Sequence, residues 1–526
     1  MYNKSVQNSD LNHPLNRKLQ KKLKLINLPA IWLTLFVVLA GVLRSLSINK
    51  ELTNFLYCDE AIYQSEIERI VAQNDFVTKE FLSGGLNFFP ISYILDLFMR
   101  FYPAANADLR LMIMRFLFPV VLSSLTTLLI YFLAKSLKLN NRAALASSLL
   151  YSIAAFPISQ SHIYYPDSYS AFFGTLAMYS IIKFMNSPDS KFHFMAFAIS
   201  LGVSTKYTLI CFFLTGILAL AIKHFNESKS FFELLKIELQ FLAIFSLYFS
   251  IINYSIFFHP LNFFYGFATN IANYGINDGS KLSALFFYLA TMLLIPLGIS
   301  GFLLSLYGLT ILRNNKIYSI NLIVLVLPII FFLLLTRNAN LATIRNVNVF
   351  LGIIFIVFGF LLERLISTRF KILGAVILAL VLTQSLYYVS QTTREDSRSM
   401  ALKWIKSNVK KGEVIGVNLA CGYKFSLGNG YELVSDSSMT KKYNYYMFDM
   451  YWYNTKFYNV YSRNSWFLEF NPSYSMFYHS HNQLPNRLFS FNGFDKSIES
   501  LVPTGYDYKI ITGFGPDIII LHKILK

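Results

Sequence analysis

Asp59 and Glu60 stand in tandem in Cys58-Asp59-Glu60-Ala61-Ile62, and Asp167 follows His162 and Tyr165 in the short stretch His162-Ile163-Tyr164-Tyr165-Pro166-Asp167. Lys206 lies between two apolar runs in Thr205-Lys206-Tyr207, and Arg337 and Arg345 flank a later polar interruption. A carboxylate can take the proton of a hydroxyl as its oxygen attacks. Lysine and arginine can hold the negative charge that gathers on a phosphate leaving group. Acids and cations drawn from four separate connections therefore have the composition of a site that deprotonates a hydroxyl and binds a phosphate.

Each residue also has a structural reading. Asp59 with Glu60 could be the cap and first-turn acid of a helix lying at the interface, and Asp167 could cap the apolar run it precedes. Lys206 could snorkel to the membrane surface, Arg337 and Arg345 could meet lipid headgroups, and His162 could be a hydrogen-bonded interface residue. It is their joint occurrence at one depth of the chain that points to chemistry.

What must position them follows from composition. The 526 residues are 55% hydrophobic and only 14% charged, with 51 Phe and a formal net charge of +18. Soluble domains carry about 25% charged residues, so a wholly soluble enzyme is excluded. Apolar stretches recur at about 30–48, 111–134, 143–159, 168–185, 192–205, 207–222, 237–258, 284–312, 317–336, 347–362 and 372–389, which predicts about eleven spans. Lys and Arg collect in alternate connections, among them Lys135 with Arg142, Lys223 with Lys229 and Arg364 with Arg369. That alternation predicts a cytoplasmic N-terminus and an outer C-terminal segment, and it puts all the residues above on the outer face. No cleavage pattern follows the first span, which reads as an uncleaved helix. Cys58, Cys211 and Cys421 form neither a disulfide framework nor a zinc spacing.

The chain thus divides into a basic tail at 1–29, a membrane part at 30–390 and a soluble part at 391–526. The outer loop at 49–110 carries a one-faced stripe of Tyr63, Ile67, Ile70 and Val71, expected as a helix lying in the interface. In the soluble part Asp396 could cap a helix bearing Ala401, Ile405 and Val409 and ended by Gly412. Stretches 413–420, 506–512 and 517–521 read as strands, so a small α/β module outside the membrane is expected.

The basic tail and first span, the Asp59-Glu60 pair opening a long outer loop, the Tyr164-Tyr165-Pro166-Asp167 loop and the Thr205-Lys206-Tyr207 hairpin together resemble lipid-carrier-dependent glycosyltransferases of the GT-C fold. The similarity is greatest to the bacterial branch with aminoarabinose transferases for lipid A, galacturonosyl transferases and relatives of protein O-mannosyltransferases. It implies an α-helical multi-pass membrane enzyme of the bacterial inner membrane that moves a sugar from a polyprenyl-phosphate carrier to a hydroxyl of a lipid, glycan or protein. By resemblance Asp59 is the expected base, Glu60 beside it orients acceptor or donor, Asp167 is a second acidic site residue, and Lys206 and Arg345 face the carrier phosphate; Arg337, His162 and Tyr165 are further candidates for substrate binding. The pattern departs at Arg345, which is followed here by Asn346-Val347-Asn348-Val349-Phe350 and not by Tyr and a Pro-containing span. Some relatives bind a divalent metal and others need none; this sequence requires none. Membrane lipids are expected partners, and nucleic acid is not. The rival from another class is a transporter or flippase of lipid-linked sugars, which would be expected to gather its charges at the bilayer midplane.

Overall fold

A computed structural model describes residues 28–46, 48–49, 58–81, 83–187, 192–227, 230–274, 281–294, 296–314, 320–336, 344–392, 397–418, 432–435, 444–449, 506–511 and 518–523. Its described residues before the first strand are mainly helical, as lipid demands, because a segment without water must satisfy its own backbone donors and acceptors. The chain runs through α1 (Leu28–Ser45), α2 (Cys58–Gln73), α3 (Phe89–Phe101), α4 (Ala107–Arg115), α5 (Val121–Ser136) and α6 (Asn141–Ile153). It continues through α7 (Ala155–Gln160), α8 (Pro166–Asn186), α9 (His193–Thr205), α10 (Ile210–Asn226), α11 (Phe231–Ile252) and α12 (Pro260–Tyr274). The later helices are α13 (Lys281–Leu294), α14 (Ile299–Asn314), α15 (Ile320–Thr336), α16 (Leu351–Ile366), α17 (Lys371–Thr392) and α18 (Ser397–Asn408).

Among the described residues six helical stretches are long and apolar enough to cross a membrane: Leu28–Ser45, Ala107–Ser136, Tyr207–Asn226, Phe231–Ile252, Arg345–Ile366 and Lys371–Ser390. Shorter apolar helices lie at His193–Thr205, Ile299–Gly308 and Ile320–Thr336. The chain is a multi-pass membrane protein. Helix α8 is long enough but less apolar, because it sits inside the bundle and turns Ser168, Ser170, Thr175 and Ser180 inward, where each is buried. The expected run at 284–312 is two helices, with Gly298 at φ +58 in the break, a conformation that favours glycine. The expected run at 143–159 also breaks, at Ala154, which is extended between α6 and α7.

Lipid tails are as apolar as leucine, so these helices gain little from hiding hydrophobic surface and associate through close packing. At Gly359 of α16 an added Cβ would collide with Ser147 of α6, so the two backbones approach as closely as a glycine allows. Arg44, fully buried at the end of α1, donates to the carbonyls of Tyr151 and Ser152 at 3.0 Å each and to Ser123 Oγ at 2.8 Å. It thereby caps the last turn of α6, where helix carbonyls lack partners.

The loop at 49–110 packs into a second core, which it shares with Phe118, Tyr164, Tyr165, Tyr169 and Phe173. Tyr63, Ile67 and Ile70 face one side of α2 and pack with Phe88, Ile91 and Leu95 and with Leu111 and Met114. Val71 joins them partly buried, so the stripe read in the sequence is the packed face of this helix. The segment that follows α2 is held by Glu66, which takes two hydrogen bonds from Arg69 at 2.9 Å, one from Thr78 Oγ1 at 2.9 Å and one from the Lys79 N–H at 2.7 Å. Burial alone would raise the Glu66 carboxyl; the hydrogen bonds and the Arg69 charge outweigh it and hold that group below its ordinary value.

Beyond the membrane helices, β1 (Val414–Asn418), β2 (Glu432–Ser435), β3 (Tyr445–Asp449), β4 (Tyr506–Ile511) and β5 (Ile518–Lys523) form one sheet in the order β2-β1-β3-β5-β4. Strand β1 runs parallel to β2 and β3, and β5 runs antiparallel to β3 and β4. Ala401, Ile405 and Val409 of α18 are buried together with Ile415 of β1. Gly412 follows at φ +94, in the turn that leads into the first strand. The expected cap Asp396 lies outside the described residues.

Candidate active site

Pro166 and Asp167 occupy the first turn of α8, and Tyr165 is the N-cap residue. The Asp167 carboxylate does not cap the helix. It forms a buried ion pair with the Lys206 ammonium, which is bound also by Asn346 Oδ1 at 2.7 Å. Lys206 follows the last residue of α9, and its extended backbone begins the turn into the 3-10 segment Tyr207–Leu209. With 9% of its surface exposed, it reaches inward and does not snorkel.

Asn346 comes from the 3-10 helix Ile344–Phe350, whose Val347, Val349 and Phe350 are buried. Two features press this segment against α8. Gly174, two turns beyond Asp167, lies so close that an added Cβ would collide with the Val349 carbonyl. Asn348 Nδ2 donates to the Asp167 carbonyl at 3.0 Å and to Gln160 Oε1 at 3.1 Å. Asn346 Nδ2 in turn donates to the Tyr288 hydroxyl of α13 at 2.9 Å. Arg345 is half-buried with its guanidinium 5.7 Å from the centre of the Tyr165 ring, and the Tyr165 hydroxyl donates to Gln160.

On the other side of the Tyr164-Tyr165 turn stands Glu60, fully buried. Both its oxygens accept from Arg115, at 2.7 and 2.6 Å, and one also accepts from the Tyr164 N–H at 2.6 Å. The first turn of α2, which contains Asp59, is therefore tied to the loop that leads into Asp167. The Asp59 side chain and the whole of Arg337 lie outside the described residues. His162 is buried against Tyr388 of α17, its ring 5.8 Å from the Tyr388 ring and its Nδ1 3.3 Å from the Tyr388 hydroxyl.

The outer loop reaches the same place from a third direction. Asn87 Nδ2 donates to the Thr205 carbonyl at 2.8 Å, its Oδ1 accepts from Tyr169 at 2.6 Å, and its carbonyl accepts from the Tyr164 hydroxyl. Burial pushes the Tyr164 hydroxyl up, so it stays a neutral donor. Asn253 of the α11 C-terminus accepts from the Gly85 N–H at 2.7 Å and donates to Ser204 Oγ at 2.6 Å. Among the described residues no group of three or more His, Cys, Asp or Glu side chains is placed to hold a metal ion.

The structure thus brings Asp167 and Lys206 into contact, with Arg345 and Tyr165 beside them and Glu60 two residues from the start of α2. Arg115 and Asn87 did not figure in the reading of the sequence, and Asn346 and Asn348 entered it only as neighbours of Arg345. Arg115 carried a signal, since a cation inside an apolar run calls for a buried partner. The asparagines carried none beyond the Asn-Val-Asn that follows Arg345.

Residues 31–274 match the family described as dolichyl-phosphate-mannose-protein mannosyltransferase, a stretch that holds Asp59, Glu60, His162, Tyr165, Asp167 and Lys206 and stops short of Arg337 and Arg345. The chain is similar to ArnT from Cupriavidus metallidurans, solved in the apo state, at 12% identity over 94% of this chain and 98% of that one, with a TM-score of 0.49. For the same protein bound to undecaprenyl phosphate the identity is 12%, the coverage 93% and 98%, and the TM-score 0.48. The archaeal oligosaccharyltransferase AglB from Archaeoglobus fulgidus, in complex with an inhibitory peptide and a dolichol-phosphate, is 13% identical over 81% of this chain and 70% of that one, with a TM-score of 0.47. No curated protein matches the sequence.

Proposed function

We propose that the protein transfers one sugar from a polyprenyl-phosphate carrier to a hydroxyl of a lipid, glycan or protein on the extracytoplasmic face of a bacterial inner membrane. The observation that carries this is the family match over residues 31–274, because it contains Asp59, Glu60, Asp167 and the lysine that the chemistry requires. The Asp167, Lys206 and Asn346 cluster supports it with a buried cation that a lipid-carried anion could reach. In the reaction Asp59 takes the proton of the acceptor hydroxyl as its oxygen attacks the anomeric carbon. The bond from that carbon to the phosphate oxygen breaks, the phosphate leaves with the electron pair, and the anomeric configuration inverts. Lys206 and Arg345 offset the charge that grows on the phosphate. Asp167 keeps Lys206 in place, and Tyr165, His162 and Arg337 are the further residues assigned to substrate binding. Glu60, bonded to Arg115 and to the Tyr164 N–H, fixes the start of α2 and orients acceptor or donor beside Asp59. About eleven spans, a cytoplasmic tail at 1–29 and an outer α/β module at 391–526 complete this reading.

The test is transfer by purified protein from polyprenyl-phosphate-linked labelled sugars to envelope extracts. Asp59→Asn, at matched abundance, should lower turnover by about 10²- to 10⁴-fold while the donor still binds. Translocation of the labelled lipid without transfer in wild type would make the protein a flippase. Undiminished turnover in Asp59→Asn would make Asp59 a helix cap.

A further inference from the structure

We infer that Asn346 is a further positioning residue of the donor site, a neutral amide that with Asp167 fixes the Lys206 ammonium where a lipid-carried phosphate meets it. This rests on the glycosyltransferase reading above and concerns how its cation is held.

The argument begins with charge. Lys206 is buried, and a buried ammonium needs partners. Asp167 supplies a full negative charge, which leaves the pair neutral. A second carboxylate would leave the cluster net negative and would repel a phosphate. Among the described residues a further partner is an amide oxygen, which accepts from Lys206 at 2.7 Å without adding charge. The amide also cannot rotate freely, because its Nδ2 is committed to the Tyr288 hydroxyl at 2.9 Å. Because an ammonium can only donate, the oxygen end of Asn346 faces the lysine, which leaves the Nδ2 end for the Tyr288 hydroxyl.

The surroundings make this arrangement rigid. Asn346 is 1% exposed. Its segment ends at Phe350, whose ring lies 5.0 Å from that of Phe332, which is itself 4.9 Å from Tyr288. Tyr288, Phe332 and Phe350 come from α13, α15 and the 3-10 helix, so three elements of the later half meet around the amide. Asn346 thereby joins them to an ion pair built wholly from the earlier half. Asp167 and Lys206 are 39 residues apart, whereas Lys206 and Asn346 are 140 apart. The site is therefore completed by a residue outside the stretch that matches the family.

Asn346→Asp separates this role from simple packing, because it keeps size and shape and changes charge alone. Polyprenyl phosphate in detergent micelles is the binding probe, followed by native mass spectrometry, with donor KM and kcat measured in the transfer assay. The expected result is that Asn346→Asp weakens polyprenyl-phosphate binding and raises donor KM by about tenfold or more, with kcat changed by less than about twofold and the unfolding temperature equal to or above that of wild type. Wild-type affinity and KM in this variant would overturn the proposal. Should Asn346→Asp not accumulate as folded protein, Asn346→Ala takes its place; a raised donor KM with kcat retained supports the proposal and an unchanged KM overturns it. A wild-type protein that neither binds polyprenyl phosphate nor uses its glycosides defeats the glycosyltransferase reading itself, a failure visible before any variant is made.

Discussion

Glu60 and Arg115 pose the sharpest question of physical chemistry at the scale of single residues. Both are buried and each satisfies the other in a two-pronged ion pair. Removing one member of such a pair leaves an unpaired buried charge and costs about 3–5 kcal/mol, whereas replacing both by apolar groups of similar volume is often near neutral. Glu60→Gln should therefore lower the stability of the solubilised protein by about that amount, and Glu60→Leu with Arg115→Met should recover most of the loss. Thermal unfolding of the wild type and the two variants decides it. A double variant no more stable than Glu60→Gln would mean that the two residues act separately, and that the Tyr164 N–H is the more important partner of the carboxylate. The same comparison bears on catalysis, because the pair secures the helix start that carries Asp59.

At the scale of elements the site depends on how closely α8 can approach the Ile344–Phe350 segment. Gly174 lies two turns from Asp167, and only the absence of a Cβ lets the Val349 carbonyl come so near. Gly174→Ala must push the two elements apart by enough to admit a methyl group. Overpacking of this kind costs about 1–3 kcal/mol, and here the displaced segment carries the Asn346 that binds Lys206. The variant should therefore unfold at lower temperature and show a raised donor KM, with a smaller effect on kcat. Stability lost without any change in KM would show that the segment relaxes elsewhere and that the hold on Lys206 survives. The outer loop contributes from the opposite side, since Asn87 binds the carbonyl of Thr205, the residue just before the lysine.

The whole molecule is decided by where its two ends lie relative to the membrane. Charge in alternate connections predicts that the segment after Gln391 is outside, together with the outer loop and the site. Alkaline phosphatase fused after that residue should be active and a cytoplasmic reporter at the same place silent, with the opposite pattern for fusions in the connection between α10 and α11. Reporter activity after Gln391 confined to the cytoplasm would reverse the orientation. It would also place Lys206 and Asp167 on a face where a carrier sugar delivered to the outside could not meet them.

The sequence by itself determined the features that depend on neighbours along the chain. Apolar runs long enough to span a bilayer, the packed face of α2 at Tyr63, Ile67 and Ile70, and the helix with Ala401, Ile405 and Val409 all follow from periodicity, which is a local property. The strands at Val414–Asn418, Tyr506–Ile511 and Ile518–Lys523 were legible for the same reason, whereas β2 and β3 were not marked out by their own residues. Residue type also singled out Asp167 and Lys206, because charges beside apolar runs are rare and costly. That these two bind each other was decided only by tertiary structure, as was the partnership of Glu60 with Arg115, 55 residues away, and of Lys206 with Asn346. The break at Gly298 belongs with them, since hydropathy measures how apolar a stretch is and not whether its backbone stays straight. Asparagine shows the limit most plainly. Asn87, Asn346 and Asn348 have no charge and no periodic signature, and their importance comes from which distant donors and acceptors the fold carries to within about 3 Å of their amides.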